Sequence, residues 1–248
     1  MTKYGLIGYP LKHSFSKKYF SEKFEKEQIQ EHAYELYELK SIEEFPTLMQ
    51  DRTVLRGVNV TIPYKQQVIP YLDRLDPETA EKIGAVNVVK VEKDGTLTGY
   101  NSDYLGFRNS LESFLPTAYK GIKALVLGTG GASKAVEVVL QDMEIPYALV
   151  SRNKGAGVSY TYETLSQEVI ESHLLIINTT PLGTYPNVEG KPNIPYEFIT
   201  NKHYCKDLVY NPEQTSFMRE SERRGARVKN GMDMLYGQAE ASWKIWKK

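Results

Sequence analysis

The residues of this chain that could do chemistry fall into a few short groups. Gly128-Thr129-Gly130-Gly131-Ala132-Ser133 follows an apolar run and opens a helix-like stretch. In such a GxGxxG variant the first glycine makes the turn and the second lets the backbone approach a pyrophosphate. A small third residue, here Ser133, keeps helix and strand close. The helix that follows offers its N-terminal amides to phosphate. Alone the pattern also describes a plain glycine turn; its place between strand and helix favours a nucleotide. About twenty residues on, an NAD site carries an acid for the ribose 2′-hydroxyl, but this chain reads Val150-Ser151-Arg152-Asn153-Lys154. A carboxylate there would repel a 2′-phosphate, whereas a guanidinium pairs with it through two parallel hydrogen bonds. The composition of that turn predicts NADP, against the alternative of two solvated loop cations.

Two further groups lie in the first half. Asn59-Val60-Thr61-Ile62-Pro63-Tyr64-Lys65 puts polar side chains at a strand end and a lysine in the first turn of an expected helix. A cation there opposes the helix macrodipole, at a cost of roughly a few tenths of a kcal/mol that an exposed lysine tolerates. Gly99-Tyr100-Asn101-Ser102-Asp103 reads either as a second polar strand end or as a loop whose Asp103 caps the next helix. The two groups are more telling together than apart.

Bulk properties exclude several classes. The 31 basic and 31 acidic side chains cancel, so no global field draws the chain to nucleic acid or an anionic membrane. No apolar stretch approaches bilayer length and the N-terminus lacks a signal-peptide pattern, so a cytoplasmic location is expected. The single cysteine, Cys205, is expected as a buried or neutral thiol. His13, His32, His173 and His203 are scattered without metal-ligand spacing, and no metal site is expected. Most of the 18 tyrosines sit in alternating patterns such as Ala33-Tyr34-Glu35-Leu36-Tyr37, which read as strand packing.

The elements that must position these groups alternate. Tyr4–Gly8 reads as a strand, Ser16–Gln28 as a helix, His32–Leu39 as a strand, Ser41–Gln50 as a helix and Leu55–Thr61 as a strand. Pro63 is expected to open a helix. Val86–Val91 and Thr96–Tyr100 form a hairpin around Asp94-Gly95, residues that supply positive φ angles. After a helix over Asp103–Leu115, the strand Ile122–Leu127, the glycine turn, the helix Ala132–Met143 and the strand Tyr147–Val150 make a βαβ unit. Strands over Leu174–Asn178, Tyr204–Val209 and Arg227–Lys229 extend it, which predicts a doubly wound parallel sheet. A final helix over Asp233–Trp246 is expected to return to the first domain. The expected division is an α/β substrate-binding domain, 1–103 with 231–248, and a Rossmann-type domain, 104–230.

The groups, in this order, resemble the motifs of the shikimate dehydrogenase family. Pro10-Leu11-Lys12-His13-Ser14-Phe15-Ser16 is similar to PxxHSxS, Asn59–Lys65 to NVTxPxK, Gly84–Asn87 to GAVN, and Gly99–Asp103 to GxNTD with serine for threonine. Gly128–Ser133 is similar to GAGGAS, and Asn230-Gly231-Met232-Asp233-Met234-Leu235 with Gln238 to NGxxML...Q. The resemblance spans the chain. It implies reversible NADPH-dependent reduction of 3-dehydroshikimate to shikimate, as in aromatic amino acid and chorismate biosynthesis, by a monomer or homodimer. It implies Lys65 and Asp103 as the catalytic pair, Ser14 and Ser16 on the substrate carboxylate, and Thr61, Asn87, Asn101 and Gln238 on its hydroxyls, with Tyr210 also on the substrate. NADP would be held by Gly128, Gly130, Gly131, Ala132, Ser133, Ser151, Arg152, Asn153, Thr179, Gly231 and Met234. Gln238 has separate support, because Met234, Ala241 and Ile245 share its helical face and an amide among apolar residues needs partners. The chain departs from the family in Lys17, where a proline is usual, in Ser151-Arg152-Asn153 for NRT, and in the short segment Gly155–Tyr162. The alternatives are an NAD-preferring quinate/shikimate dehydrogenase and a non-catalytic substrate-sensing protein of the same fold.

Overall fold

The computed structural model describes residues 1–11, 14–117 and 119–248. Lys12 and His13 of the first motif lie outside the described residues. The chain divides into two compact units, Met1–Leu105 with Gln238–Lys248, and Gly106–Gly237.

The first unit runs β1 (Thr2–Gly8), α1 (Phe15–Lys26), β2 (His32–Glu38), α2 (Phe45–Leu48), β3 (Leu55–Val60), β4 (Arg74–Leu75), β5 (Val88–Val91), β6 (Leu97–Tyr100) and the start of α3 (Ser102–Glu112). Its six strands form a mixed sheet, ordered β2-β1-β3-β5-β6-β4. The pairs among β2, β1 and β3 are parallel, while β3, β5 and β6 are antiparallel. Alternation along the strands feeds two cores. Ile7, Val58, Val60 and Val89 point to one face, where they meet Leu39, Phe45 and Tyr64. Tyr4, Leu6, Tyr34 and Val88 point to the other and meet Phe20 and Phe24 of α1 together with Trp243 and Trp246. Gly57 is needed on this second face, since a Cβ there would strike the Trp246 indole.

The second unit runs β7 (Ala124–Leu127), α4 (Gly131–Asp142), β8 (Tyr147–Ser151), β9 (Tyr160–Thr161), α5 (Gln167–Ser172), β10 (Leu175–Asn178), β11 (Tyr204–Asp207), α6 (Ser216–Glu222) and β12 (Arg227–Lys229), and leads into α7 (Met232–Lys247). All its strand pairs are parallel, in the order β9-β8-β7-β10-β11-β12. That is the doubly wound dinucleotide-binding order, whose direction reverses between β7 and β10. The short segment after β8 carries no helix. The fold class read from the sequence holds: two α/β units, the second a Rossmann-type sheet.

Local expectations fail at four places. The helix over Ser41–Gln50 is a 3-10 turn, Ile42–Glu44, followed by the single turn α2, because Pro46 cannot donate and forces a restart at a helix N-terminus. No α-helix follows Pro63. Bonds from Tyr64 N to Thr61 O, Val68 N to Tyr64 O and Ile69 N to Gln66 O mix two spacings, and the series runs on into a 3-10 turn, Ile69–Tyr71. Lys65 therefore opposes no helix dipole. In the hairpin only Gly95 takes a positive φ, 83°; Asp94 instead accepts from Thr96 N at 3.0 Å through its side chain. Asp103 does not cap α3, since its own N–H donates to Asn101 Oδ1 at 3.1 Å.

Candidate active site

The first unit holds a lysine–carboxylate pair on a shelf of amides. Lys65 Nζ donates to Asp103 Oδ2 at 2.7 Å, with the side chains 35% and 16% exposed, so solvent still reaches the ammonium. The backbone under Lys65 is fixed by Val86 N donating to its carbonyl at 2.7 Å. Asn101 is buried and spends its amide on protein: Nδ2 donates to Ala85 O at 2.9 Å while Oδ1 takes the Asp103 N–H. These bonds hold the Asp103 backbone. Asn87 is buried too, and its Oδ1 accepts from Ser102 N at 2.7 Å. A backbone N–H can only donate, so that bond fixes the amide and aims the Asn87 Nδ2 donors elsewhere. Thr61 is half-buried at the end of β3, its N–H donating to Ile7 O.

Ser14 caps α1, its hydroxyl oxygen accepting from Lys17 N at 3.2 Å. The departure at Lys17 thus has a local effect, because a proline has no N–H to offer. Ser16, in the first turn, donates to the Tyr34 phenol. Tyr34 is 1% exposed, burial pushes its ionisation up, and its O–H donates to Asn59 Oδ1 at 2.8 Å. Gln238 is half-buried on α7; among the described residues its side-chain amide has no hydrogen-bond partner, while its carbonyl accepts from Ser242 Oγ at 2.8 Å. Sequence reasoning missed Tyr34, Asn59 and Ser242. The available signals were a polar residue inside a buried strand and a serine one helical turn after Gln238.

The second unit holds a cavity of about 410 Å³ at the carboxyl ends of its strands, where the strand order reverses. Gly128, Thr129 and Gly130 line it after β7, Ser151 and Arg152 after β8, Tyr162 after β9, and Thr179 to Leu182 after β10. Gly128 has φ 105°, and a Cβ there would crowd Thr179 and Thr180. Thr179 Oγ1 donates to Leu127 O at 2.8 Å and ties β10 to β7. Gly130 and Gly131 face open space at the start of α4, so a ligand can come against the bare backbone. Ala132 is exposed beside them, whereas Ser133 turns inward and donates to Gly130 O at 2.8 Å. Arg152 and Asn153 are exposed, and among the described residues Arg152 has no ion pair. Gly231 and Met234 are not in the cavity wall. Gly231 is pressed against the Leu208 carbonyl with no room for a Cβ, and Met234 is half-buried on α7. Tyr210, 40% exposed, follows β11 in this unit. Tyr162 and Thr180 to Leu182 were missed as cavity residues, since nothing in their local pattern marks them.

Beside this cavity β11 buries three titratable side chains. Burial pushes the Cys205 thiol up to about 12, as expected for an inert core cysteine. Burial, aided by nearby Lys229, brings Lys206 down to about 7; its Nζ donates to Ser110 Oγ at 2.7 Å. Burial raises Asp207 to about 6 against the opposing hydrogen bonds from Thr215, Val209 N and Asn178. Among the described residues no helix is long and apolar enough to cross a membrane.

Comparison with known proteins agrees with these features. Residues 6–89 match the family model described as the shikimate dehydrogenase substrate binding domain. A shikimate dehydrogenase (NADP(+)) of Clostridium beijerinckii is 41% identical, covering 100% of this chain and 93% of its own. The crystal structure of shikimate dehydrogenase from Aquifex aeolicus superposes with a TM-score of 0.85 at 33% identity, covering 99% of this chain and 92% of that one. The Thermus thermophilus enzyme, solved in complex with NADP(H) and shikimate, gives 0.83 at 30% identity over 99% and 93% of the two chains.

Proposed function

The chain belongs to the shikimate dehydrogenase family, and from that premise we propose that it catalyses the reversible NADP-dependent interconversion of 3-dehydroshikimate and shikimate. The observation that carries the reading is the 2.7 Å Lys65–Asp103 pair, held by Val86 N and by Asn101 beside the fixed Asn87 amide. In the reducing direction Lys65 donates a hydrogen bond to the carbonyl oxygen, stabilises the negative charge that develops there and delivers the proton that makes it a hydroxyl. Asp103 holds the ammonium in place. The cavity lined by Gly128, Gly130, Ser151 and Arg152 would hold NADPH, which would supply hydride for the carbonyl carbon.

Neutral donors and acceptors suit a polyhydroxylated ring, because a site built from them rejects analogues that leave a partner unpaired. Asn87 Nδ2 and the Gln238 amide have such capacity to spare, and Thr61 adds a hydroxyl. Ser14 and Ser16 at the start of α1 take the carboxylate, where first-turn amides favour an anion. Asn101 serves through Asp103, and Tyr210 is assigned to the substrate on the family resemblance alone. The cavity in the second unit fits NADP: bare backbone at Gly130 and Gly131, the amides of α4 for the pyrophosphate, and the exposed Arg152 with Ser151 and Asn153 for the 2′-phosphate. Gly231 and Met234 support that unit from the start of α7. The test is nicotinamide reduction, followed by absorbance, with shikimate or quinate and with NADP or NAD. The expected result is turnover of shikimate with a clear NADP preference; NAD-preferring oxidation of quinate would overturn it.

A further inference from the structure

Behind the amide shelf of the first unit lies a buried chain of polar groups that the reaction itself does not use. Tyr34 O–H donates to Asn59 Oδ1 at 2.8 Å. Asn59 Nδ2 donates to Asn87 O at 3.2 Å and to Ser242 Oγ at 2.9 Å. Ser242 Oγ donates to Gln238 O at 2.8 Å and lies 3.1 Å from Ser102 Oγ. Ser102 Oγ is also 3.2 Å from Asn87 Oδ1. Counting protons gives every bond a direction. Carbonyl oxygens only accept, so Ser242 spends its one proton on Gln238 and must accept from both Asn59 and Ser102. Ser102, with one proton and two acceptors in reach, shares it between Ser242 and Asn87.

Ser242 is therefore a hub with three bonds, 1% exposed, joined to β3 through Asn59, to the first residue of α3 through Ser102, and to its own helix one turn back. The bonds converge on the two amides with spare capacity. One branch grips the Asn87 backbone and side chain, and the other grips the Gln238 backbone. A polar network among aromatic residues is costly unless it is complete, and a complete one fixes orientation. Aromatic packing of Trp243 and Trp246 already anchors α7, which leaves orientation as the work for the serine.

Resting on the reaction proposed above, we infer that Ser242 is a positioning residue for substrate recognition: it holds the Gln238 backbone and, through Ser102 and Asn59, the Asn87 side chain and backbone, so that both residues meet the substrate's ring hydroxyls from fixed positions. It touches no substrate. Removing its hydroxyl releases the Gln238 carbonyl and leaves Asn59 Nδ2 and Ser102 with one acceptor fewer, which loosens the mounting of both residues although Ser102 N still holds the Asn87 amide.

The experiment is a double-mutant cycle of Ser242→Ala and Gln238→Ala, read as KM and kcat for shikimate, shikimate affinity by tryptophan fluorescence, and NADP affinity by titration. Ser242→Ala is expected to raise KM and the shikimate dissociation constant about tenfold, with kcat and NADP affinity within about twofold of wild type. In the Gln238→Ala background the same change is expected to cost clearly less, since one of the amides it positions is gone. An unchanged KM, or an equal penalty in both backgrounds, overturns the inference. If Ser242→Ala does not fold, Ser102→Ala replaces it: this removes one donor from the hub and keeps the backbone bond to Asn87. A raised KM there supports the inference and a wild-type KM overturns it. Wild-type protein that binds shikimate but does not oxidise it would overturn the proposed reaction and leave the positioning role to be judged on shikimate affinity alone.

Discussion

Replacing Lys65 by alanine separates a catalytic group from an ordinary surface ion pair. The pair with Asp103 spans 2.7 Å but is partly open to water, its lysine 35% exposed. Pairs of that kind contribute about 0–1 kcal/mol to stability. In a chain of this length 1 kcal/mol moves the unfolding midpoint by roughly 2–4 °C. Loss of a positioned proton donor, by contrast, costs a factor on the order of 10²–10⁴ in kcat, or about 2.7–5.4 kcal/mol of barrier. The two effects differ enough to be read apart in one preparation. Steady-state oxidation of shikimate gives kcat, and thermal unfolding followed by tryptophan emission gives stability, because both tryptophans, Trp243 and Trp246, sit in the core of the unit that carries Lys65. Asp103→Asn should also lower kcat, since an amide brings no negative charge to hold the ammonium. The double variant should lose less than the product of the single losses, as residues acting as a unit do. A Lys65→Ala enzyme within about threefold of wild-type kcat, folded and NADP-competent, would refute the assignment of the proton to this lysine.

Three other perturbations test separate parts. Arg152→Ala should weaken NADP binding roughly 10- to 150-fold, the equivalent of a charge-assisted hydrogen bond of about 1.5–3 kcal/mol, and should barely affect NAD; equal losses measured by titration would contradict the 2′-phosphate contact. Ser14→Ala should raise KM for shikimate and also lower stability by about 1 kcal/mol through loss of the α1 cap, whereas Ser16→Ala has no cap to lose; identical melting curves for the two variants would dismiss the cap. Lys206→Met should stabilise the protein in acid. The folded lysine titrates at about 7 against the usual 10.5, so the unfolded chain binds more protons between those values and wild-type stability rises with pH across that window. The gain from methionine should be largest below pH 7 and shrink towards pH 10.5, and a gain independent of pH in urea titrations would show that the amine is not buried in the way described.

The architecture was legible where periodicity is strong. The buried strand β7, its glycine turn and α4 announce a dinucleotide fold, and the missing helix after β8 follows from the shortness of Gly155–Tyr162. Legibility failed where short-range chemistry competes. Pro46 interrupted a helix that the apolar spacing suggested, mixed three- and four-residue bonds took the place of the helix expected after Pro63, and Asn101 rather than Asp103 accepts at the start of α3. Lys65 and Asp103 were visible as residues, but only the folded chain shows that segments 38 positions apart bring them to 2.7 Å. The polar network was hidden for a different reason. Tyr34 has the alternation of a core residue, and Ser242 resembles any small helix residue; their importance lies in tertiary hydrogen bonds that leave no local trace.

The late arrival of Trp243 and Trp246 bears on how the protein is made. They complete a core whose other members, Tyr4, Phe20 and Tyr34, were synthesised first, and the Tyr4 and Trp246 rings stack at 4.7 Å although nearly the whole chain separates them. On the ribosome the entire nucleotide-binding unit emerges before that gap can close, so the unit begun first is finished last. Until residues 238–248 arrive, one face of its sheet is covered by α1 alone and keeps apolar surface open, a condition that invites chaperone capture and makes truncated chains prone to aggregate. Closing so long a loop also slows folding.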